Sequence, residues 1–455
     1  MHQFRADTGA PAQSRCVTVL QHCLSARNTL IVCPKKAGIR RANYPGTILP
    51  WERLPMRKTL IAAAMASTLA VPGLATAQQP APPAQSADAK DEGLKLGIFD
   101  VTGYIDASYN NLSRRALFTS GTPSRVFDIE RSGFALRQAA VKLDYSPQQG
   151  LGGVLNLTAG KDADVIAAYK TDPSNGRGCN VVTGLNADGT SCDRDRFDVT
   201  QAYLQYKAGS WHLMAGKFVT LAGAEVIWSP ANPNFSRSIL FGYAIPFTHT
   251  GLRAHYSLSD TLTLQIGANQ GWDDIKDTNS SKGYELGLMF NPSKMVALTA
   301  MFHGGKERVG GLVNTGAEGD RNLFDTVLTI NATDKLSFVL NYDYGTQDGT
   351  AGLIPSGASK AVWSGIAGYA NYQFTDQWKL SFRAELFDDK DGYRTGVVQK
   401  WKEATLTLAW LPTKPIELRA EVRRDRSNVA SFLDRDGVTG RTNNASYGVQ
   451  FLYKF

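Results

Sequence analysis

Charged side chains recur at every second position in two neighbouring stretches of the chain. Glu417, Arg419, Glu421 and Arg423 form one such row, and Glu403 with Thr405 and Thr407 forms another. Residues two apart on an extended strand share a face. The first row therefore places four formal charges side by side along one surface, and the second adds one charge and two hydroxyls to it. Such a surface does not make or break bonds. Lining water, it sets which ions and solutes pass. The same alternation assigns Arg253, Lys379, Arg383 and Glu385 to this surface, together with Lys142, Asp106, Asp144, Glu285 and Asp343. The two signs are present in similar numbers, so these groups either line a pore or pair with one another and stiffen its wall.

Other chemistry finds little support. The sequence contains no G-x-S-x-G, H-E-x-x-H, Walker A, G-x-G-x-x-G or C-x-x-C pattern. A hydrolase would need a serine and a histidine in hydrogen-bond reach. His249 with Ser236 or Ser238 is the one pair to nominate, and a structural histidine at a loop–strand junction is the simpler reading. Acidic clusters at Asp193/Asp195/Asp198, Asp273/Asp274 and Asp388/Asp389/Asp391 offer oxygen ligands for a hard cation. Their basic neighbours Arg194, Arg196 and Lys390 instead mark solvated loops, so no metal and no cofactor are expected. Cys179 and Cys192 share one polar stretch, and in an exported chain they are expected to form a disulfide.

The elements that position these residues are strands. Opposite the charged row of 401–424 lies an apolar one: Ala404, Leu406, Leu408 and Trp410, then Ile416, Leu418, Ala420 and Val422. Sixteen segments from residue 96 onward read as strands, and no helix is convincing. Short turns rich in Pro, Asp, Asn, Ser and Gly alternate with longer polar stretches at 110–133, 161–197, 220–247, 270–281, 304–321, 345–361, 389–399 and 425–444. Regular alternation of short and long connections around an even strand count is the signature of an outer-membrane barrel. The expected fold is all-β: a transmembrane antiparallel barrel of about sixteen strands, with short periplasmic turns and long extracellular loops over residues 95–455. Tyr104, Tyr109, Tyr145, Tyr206, Trp211, Tyr256, Trp378 and Trp410 are placed as interfacial girdles would be. The chain ends on an alternating strand with Phe455 last.

The formal charge of +8 does not imply a nucleic-acid partner. Residues 1–77 carry ten basic and two acidic residues, so that segment holds the whole excess. Within it, Met56-Arg57-Lys58, the apolar run 60–69 and Ala75-Thr76-Ala77 read as a signal peptide over 56–77, with cleavage near Ala77 after Sec-type export. Residues 1–55 precede that start and read as an upstream extension from a misassigned initiation site. Residues 78–94, rich in Pro and Ala, read as a flexible periplasmic lead-in.

The run Asn234–Gly251, NFSRSILFGYAIPFTHTG, resembles the putative beta-barrel porin-2 (OmpL-like) family of Gram-negative outer-membrane proteins. The resemblance implies an outer-membrane barrel with a pore, and no catalytic residues. The combined expectation is a porin: a passive diffusion channel for small hydrophilic solutes or ions. The alternatives are a lipase-like barrel enzyme and a structural or adhesion barrel. Its partners would be outer-membrane lipid, the solutes and, as monomer or trimer, further copies of the chain. The stretch 220–247 is apolar for an exposed segment and is stiffened by Pro230, Pro233 and Pro246. It is expected to fold into the lumen as a constriction, with Glu225, Trp228, Asn234 and Arg237 as its functional side chains.

Overall fold

A computed structural model describes residues 94–116, 125–128, 132–168, 197–277, 279–309, 317–434 and 438–455. Sixteen long strands dominate. The first eight are β1 (Phe99–Leu112), β2 (Ser132–Tyr145), β3 (Gly150–Ala159), β4 (Phe197–Ala208), β5 (Trp211–Val219), β6 (Thr248–Ser259), β7 (Leu262–Asn269) and β8 (Gly283–Ser293). The second eight are β9 (Val296–Arg308), β10 (Glu318–Asn331), β11 (Leu336–Asp348), β12 (Lys360–Thr375), β13 (Trp378–Asp389), β14 (Gln399–Thr413), β15 (Ile416–Ser427) and β16 (Asn443–Lys454). Each strand pairs antiparallel with the next in sequence, and β1 also pairs with β16, from Tyr104↔Lys454 to Leu112↔Ser446. The C-terminus strengthens the seam, since Phe455 and Gly103 exchange backbone hydrogen bonds at 2.8 and 2.9 Å. Every backbone row therefore has two neighbours, as a lipid environment requires.

The alternation read from sequence is the alternation of the two faces. Along β14, Trp401, Glu403, Thr405, Thr407 and Ala409 are buried, while Lys402, Ala404, Leu406, Leu408 and Trp410 are exposed. The outer face is a continuous apolar surface that includes Phe382, Leu406, Leu408, Val422, Val449 and Phe451. Trp378 and Trp410 stack on it at 6.0 Å between ring centroids. Two- to four-residue turns close one end, and longer connections emerge at the other.

Three differences from the sequence reading stand out. A short α-helix, Lys161–Ala168, follows β3. At eight residues it is too short to show a helical period. The connection 220–247 contains a 3-10 turn at Ser229–Ala231 and a π-helical turn at Leu240–Ala244. Tyr104, expected in a girdle, points inward and packs edge-on against Trp228 at 4.5 Å. Its strand parity, shared with Asp106, requires this. The region holding Cys179 and Cys192 lies outside the described residues, as do Asp193, Arg194, Asp195 and Arg196 and the segments 1–55, 56–77 and 78–93.

Candidate functional site

The connection between β5 and β6 runs inside the barrel, and the inner wall is built to hold it. Thr220 N–H donates to Phe247 O at 2.9 Å and closes its base. Within it, Asn232 ties back to Val226 by two hydrogen bonds of 2.8 and 2.9 Å, fixing the turn around Pro230 and Pro233. Its apolar side chains Phe235, Ile239, Leu240, Phe241, Tyr243, Ile245 and Phe247 are all buried. The segment is apolar because it packs inside the barrel, where contact with side chains of the wall replaces contact with water.

One device recurs along the loop: a single carboxylate accepts two successive backbone N–H groups. Glu421 takes those of Phe235 and Ser236 at 2.7 and 3.0 Å. Glu385 takes those of Ile239 and Leu240 at 2.7 and 3.1 Å. Asp273, from the connection between β7 and β8, takes those of Phe247 and Thr248 at 2.7 and 2.9 Å. A carboxylate has two oxygens and lone pairs to spare, so it satisfies consecutive amides that have no strand partner. Asp273 reaches them from a left-handed backbone conformation (φ 65°) that Asp tolerates. Burial pushes its carboxyl up to about 6, against the lowering effect of the two amides.

Arginines grip the loop's carbonyls and its one buried acid. Arg383 donates to Glu225 Oε1 at 2.7 Å, to Ser236 O at 2.6 Å and, through two nitrogens, to Glu403 at 3.0 Å each. Arg423 donates to Arg237 O at 2.6 Å, meets Glu403 at 3.0 Å and holds Asp425 at 2.6 Å. Asn234 Nδ2 donates to Thr407 Oγ1 at 2.7 Å, and Thr407 in turn donates to Glu421 at 2.7 Å. Trp228 lies on Tyr104, while the adjacent Ser229 donates to Asp106 at 2.5 Å. Among the described residues, Arg237 forms no ion pair with an acid of the wall. Its guanidinium lies over the Phe127 and Phe241 rings, at 5.9 and 5.7 Å, and donates to Ile227 O. Of the loop's two charged side chains, Glu225 is engaged by Arg383, and Arg237 is enclosed by aromatic rings.

The remaining inner-wall residues lie where alternation assigns them, and most are paired. Arg253 forms a two-point pair with Glu285 at 2.8 Å and covers the Phe218 ring at 4.0 Å. Arg419 pairs with Glu417 at 2.8 Å, and Lys454 reaches the same acid at 3.0 Å. Lys142 and Asp144 pair at 2.9 Å where the wall is more open. Lys379 is half-buried without a hydrogen bond or ion pair among the described residues. Asp343 faces Asp325 across the strands, both fully buried. Arg383, at 0% exposed, and Glu403, at 4%, are packed under the loop and not bathed in a wide channel.

The wall also makes room for the loop. A side chain at Gly365 would meet Leu240 at 2.7 Å, and one at Gly448 would meet Phe235 at 2.7 Å. The sequence reading overlooked these strand glycines, though a glycine inside a strand is a recognised mark of close approach.

The structure does not join His249 to Ser236 or Ser238 by a hydrogen bond. His249 contacts Gly271 O and Thr220 Oγ1, both at 3.3 Å, whereas Ser236 Oγ accepts from Arg383 and Arg423 at 3.2 and 3.4 Å and Ser238 Oγ accepts from Phe241 N–H at 3.0 Å. The acidic loop groups are engaged by the protein itself. Asp389 accepts from the Arg394 and Thr395 backbones, Asp391 from Val362 N–H, and Asp388 pairs with Lys400. Among the described residues no group of three or more His, Cys, Asp or Glu is placed to hold a metal ion.

The sequence pattern of the family described as "Putative beta-barrel porin-2, OmpL-like" matches residues 99–455. No curated protein matches the chain. Among solved structures, outer-membrane expressed OmpT of Vibrio cholerae superposes with a TM-score of 0.51 at 13% identity, covering 80% of this chain and 100% of that one. The outer-membrane channel DcaP of Acinetobacter baumannii gives 0.50 at 15%, covering 80% and 99%. An anion-selective porin from Comamonas acidovorans gives 0.52 at 9%, covering 78% and 99%. At these identities the likeness is one of fold.

Proposed function

The chain belongs to the putative beta-barrel porin-2, OmpL-like, family of outer-membrane channels, and from that premise we propose a passive pore narrowed by its own loop 220–247. Small hydrophilic solutes or ions would cross by diffusion, through whatever bore the loop leaves, with no cofactor or energy source. A sixteen-strand barrel without such a loop is wide enough for an aqueous channel. The observation that carries the proposal is the pinning of the loop against the inner wall by Glu385, Glu421, Arg383 and Arg423. Pore-lining roles then fall to Arg253, Lys379, Glu417 and Arg419, and the constriction to Glu225, Trp228, Asn234 and Arg237 with their wall partners Arg383, Glu385, Glu403, Glu421 and Arg423. The reading is non-enzymatic, supported by the separation of His249 from both serines. Export by a signal peptide cleaved near Ala77 accompanies it, and sequencing the N-terminus from outer-membrane fractions should find a start near Gln78.

The test is deletion of 230–243 followed by single-channel recording in planar bilayers. Heat-modifiable migration on gels confirms that the barrel is folded. A marked rise in conductance is expected. Unchanged conductance and selectivity in folded protein would reject the constriction.

A further inference from the structure

We propose that the outer face of β14 and β15 carries a binding site for a phosphorylated glycolipid of the membrane's outer leaflet. The strand register lays out the site in rows. Across one level, Phe382, Leu406, Val422 and Tyr447 are neighbours on successive strands, and all four are exposed apolar or aromatic side chains. One level toward the long-loop end, Ala384, Ala404, Arg424 and Ala445 are neighbours. The next level holds Leu386, Lys402, Arg426 and Asn443. The alanines beside larger side chains leave a groove of about 390 Å³, lined by Phe382, Leu406, Val422 and Tyr447 with Arg424 at its head.

Three cations therefore crown an apolar groove on the face turned to lipid. None of Lys402, Arg424 and Arg426 makes a hydrogen bond or ion pair among the described residues, and each is exposed. Lys400, one level further out, is already paired with Asp388 at 3.2 Å. Depth makes the lack of partners consequential. Arg424 is level with Ala404, six residues up β14 from the stacked Trp410. For a strand tilted about 40° this is about 15 Å along the membrane normal, inside or at the rim of an apolar band about 25 Å tall. An unpaired cation there is unfavourable unless it snorkels to an anion at the interface. The long-loop end faces outward, so the anion at that level belongs to the outer leaflet. Three cations on adjacent strands match a headgroup bearing more than one phosphate, and the groove below them matches an acyl chain. Charge complementarity and the amphipathic order of the rows together choose a lipid over a second copy of the chain. Among the described residues, no anionic row is present on this face to meet these cations from another copy.

The probe is purified lipid A bearing two phosphates, with its dephosphorylated form as control, added to the folded full-length barrel in detergent. Native mass spectrometry reads retention. The wild-type protein should hold the phosphorylated lipid through detergent exchange, and K402Q/R424Q/R426Q should lose about a hundredfold in affinity, the worth of three cations near lipid phosphate. A404W fills the groove, keeps all three cations and should also reduce retention. Neither variant should alter single-channel conductance, because these side chains face away from the lumen. Equal retention by wild type and the triple variant would overturn the proposal. So would equal binding of dephosphorylated lipid A, or wild-type protein that stays dimeric in detergent and retains no phosphorylated lipid.

Discussion

Replacing Arg383 with Met tests whether the loop is held electrostatically. The guanidinium is fully buried and serves Glu225, Glu403 and the Ser236 carbonyl at once. Glu403 keeps Arg423 at 3.0 Å after the change. Among the described residues, Glu225 keeps only Ser238 N–H at 2.8 Å and a long contact to Tyr369 at 3.4 Å. Removing one partner of a buried pair costs about 3–5 kcal/mol, because the other charge stays desolvated. At about 1.4 kcal/mol per tenfold, the ratio of released to docked loop should rise by roughly two to three and a half orders of magnitude. The anchors at Glu385 and Glu421 remain, so the loop stays mostly docked, and the signature is frequent bursts of higher conductance. Adding Glu225→Gln removes the orphaned charge and should restore part of the wild-type behaviour, a coupling that a double-mutant cycle isolates. Identical burst statistics for wild type and R383M, in protein shown to be folded, would refute this account. So would a double variant noisier than R383M alone.

Three further outcomes are expected. Leu408→Arg places a charge on the lipid face and should cost about 2–4 kcal/mol near the midplane. Thr407→Arg should fold but displace Asn234 and alter conductance, so equal losses in a urea titration would contradict the facing assignment. Gly365→Val favours the strand locally yet collides with Leu240, and it should loosen the loop by about 1–3 kcal/mol, visible as faster amide exchange at Ile239 and Leu240. Asp273 is raised from its usual value of 3.8 to about 6. The docked state therefore binds the proton more tightly than the released state, and docking weakens as pH rises from about 4 to 6, by an amount on the order of 3 kcal/mol. Asp273→Asn should flatten that dependence. Amide exchange of Phe247 and Thr248, corrected for the intrinsic effect of pH, measures it, and an unchanged slope would contradict the assignment.

The barrel was legible because a membrane imposes a period of two on every spanning strand. The rows Glu417–Arg423 and Leu406–Trp410 could not be read as helix. The charges of the inner wall followed from the same parity, as did the inward turn of Tyr104 once parity is preferred to a rule about strand ends. What was hidden depends on groups without side-chain identity. The amides of Phe235, Ser236, Ile239 and Leu240 exist at every position of any chain, so nothing in the sequence points Glu421 or Glu385 at them. The surroundings of Arg237 were hidden for a related reason: a surface charge and one enclosed by Phe127 and Phe241 look alike until the loop is folded. Gly365 and Gly448 did carry a signal, as strand glycines facing the loop's Leu240 and Phe235.

The inserted loop also fixes an order of assembly. Glu225 and Arg383 are separated by 158 residues, and Phe235 and Glu421 by 186. Contacts so distant along the chain form late, since the intervening segment must be ordered first. The wall that receives the loop includes β13, β14 and β15, which are among the last strands synthesised. Docking is therefore expected to follow their pairing. Interactions made at that final step are absent from the earlier barrier, so weakening them should hasten loop release while leaving the rate of barrel formation unchanged.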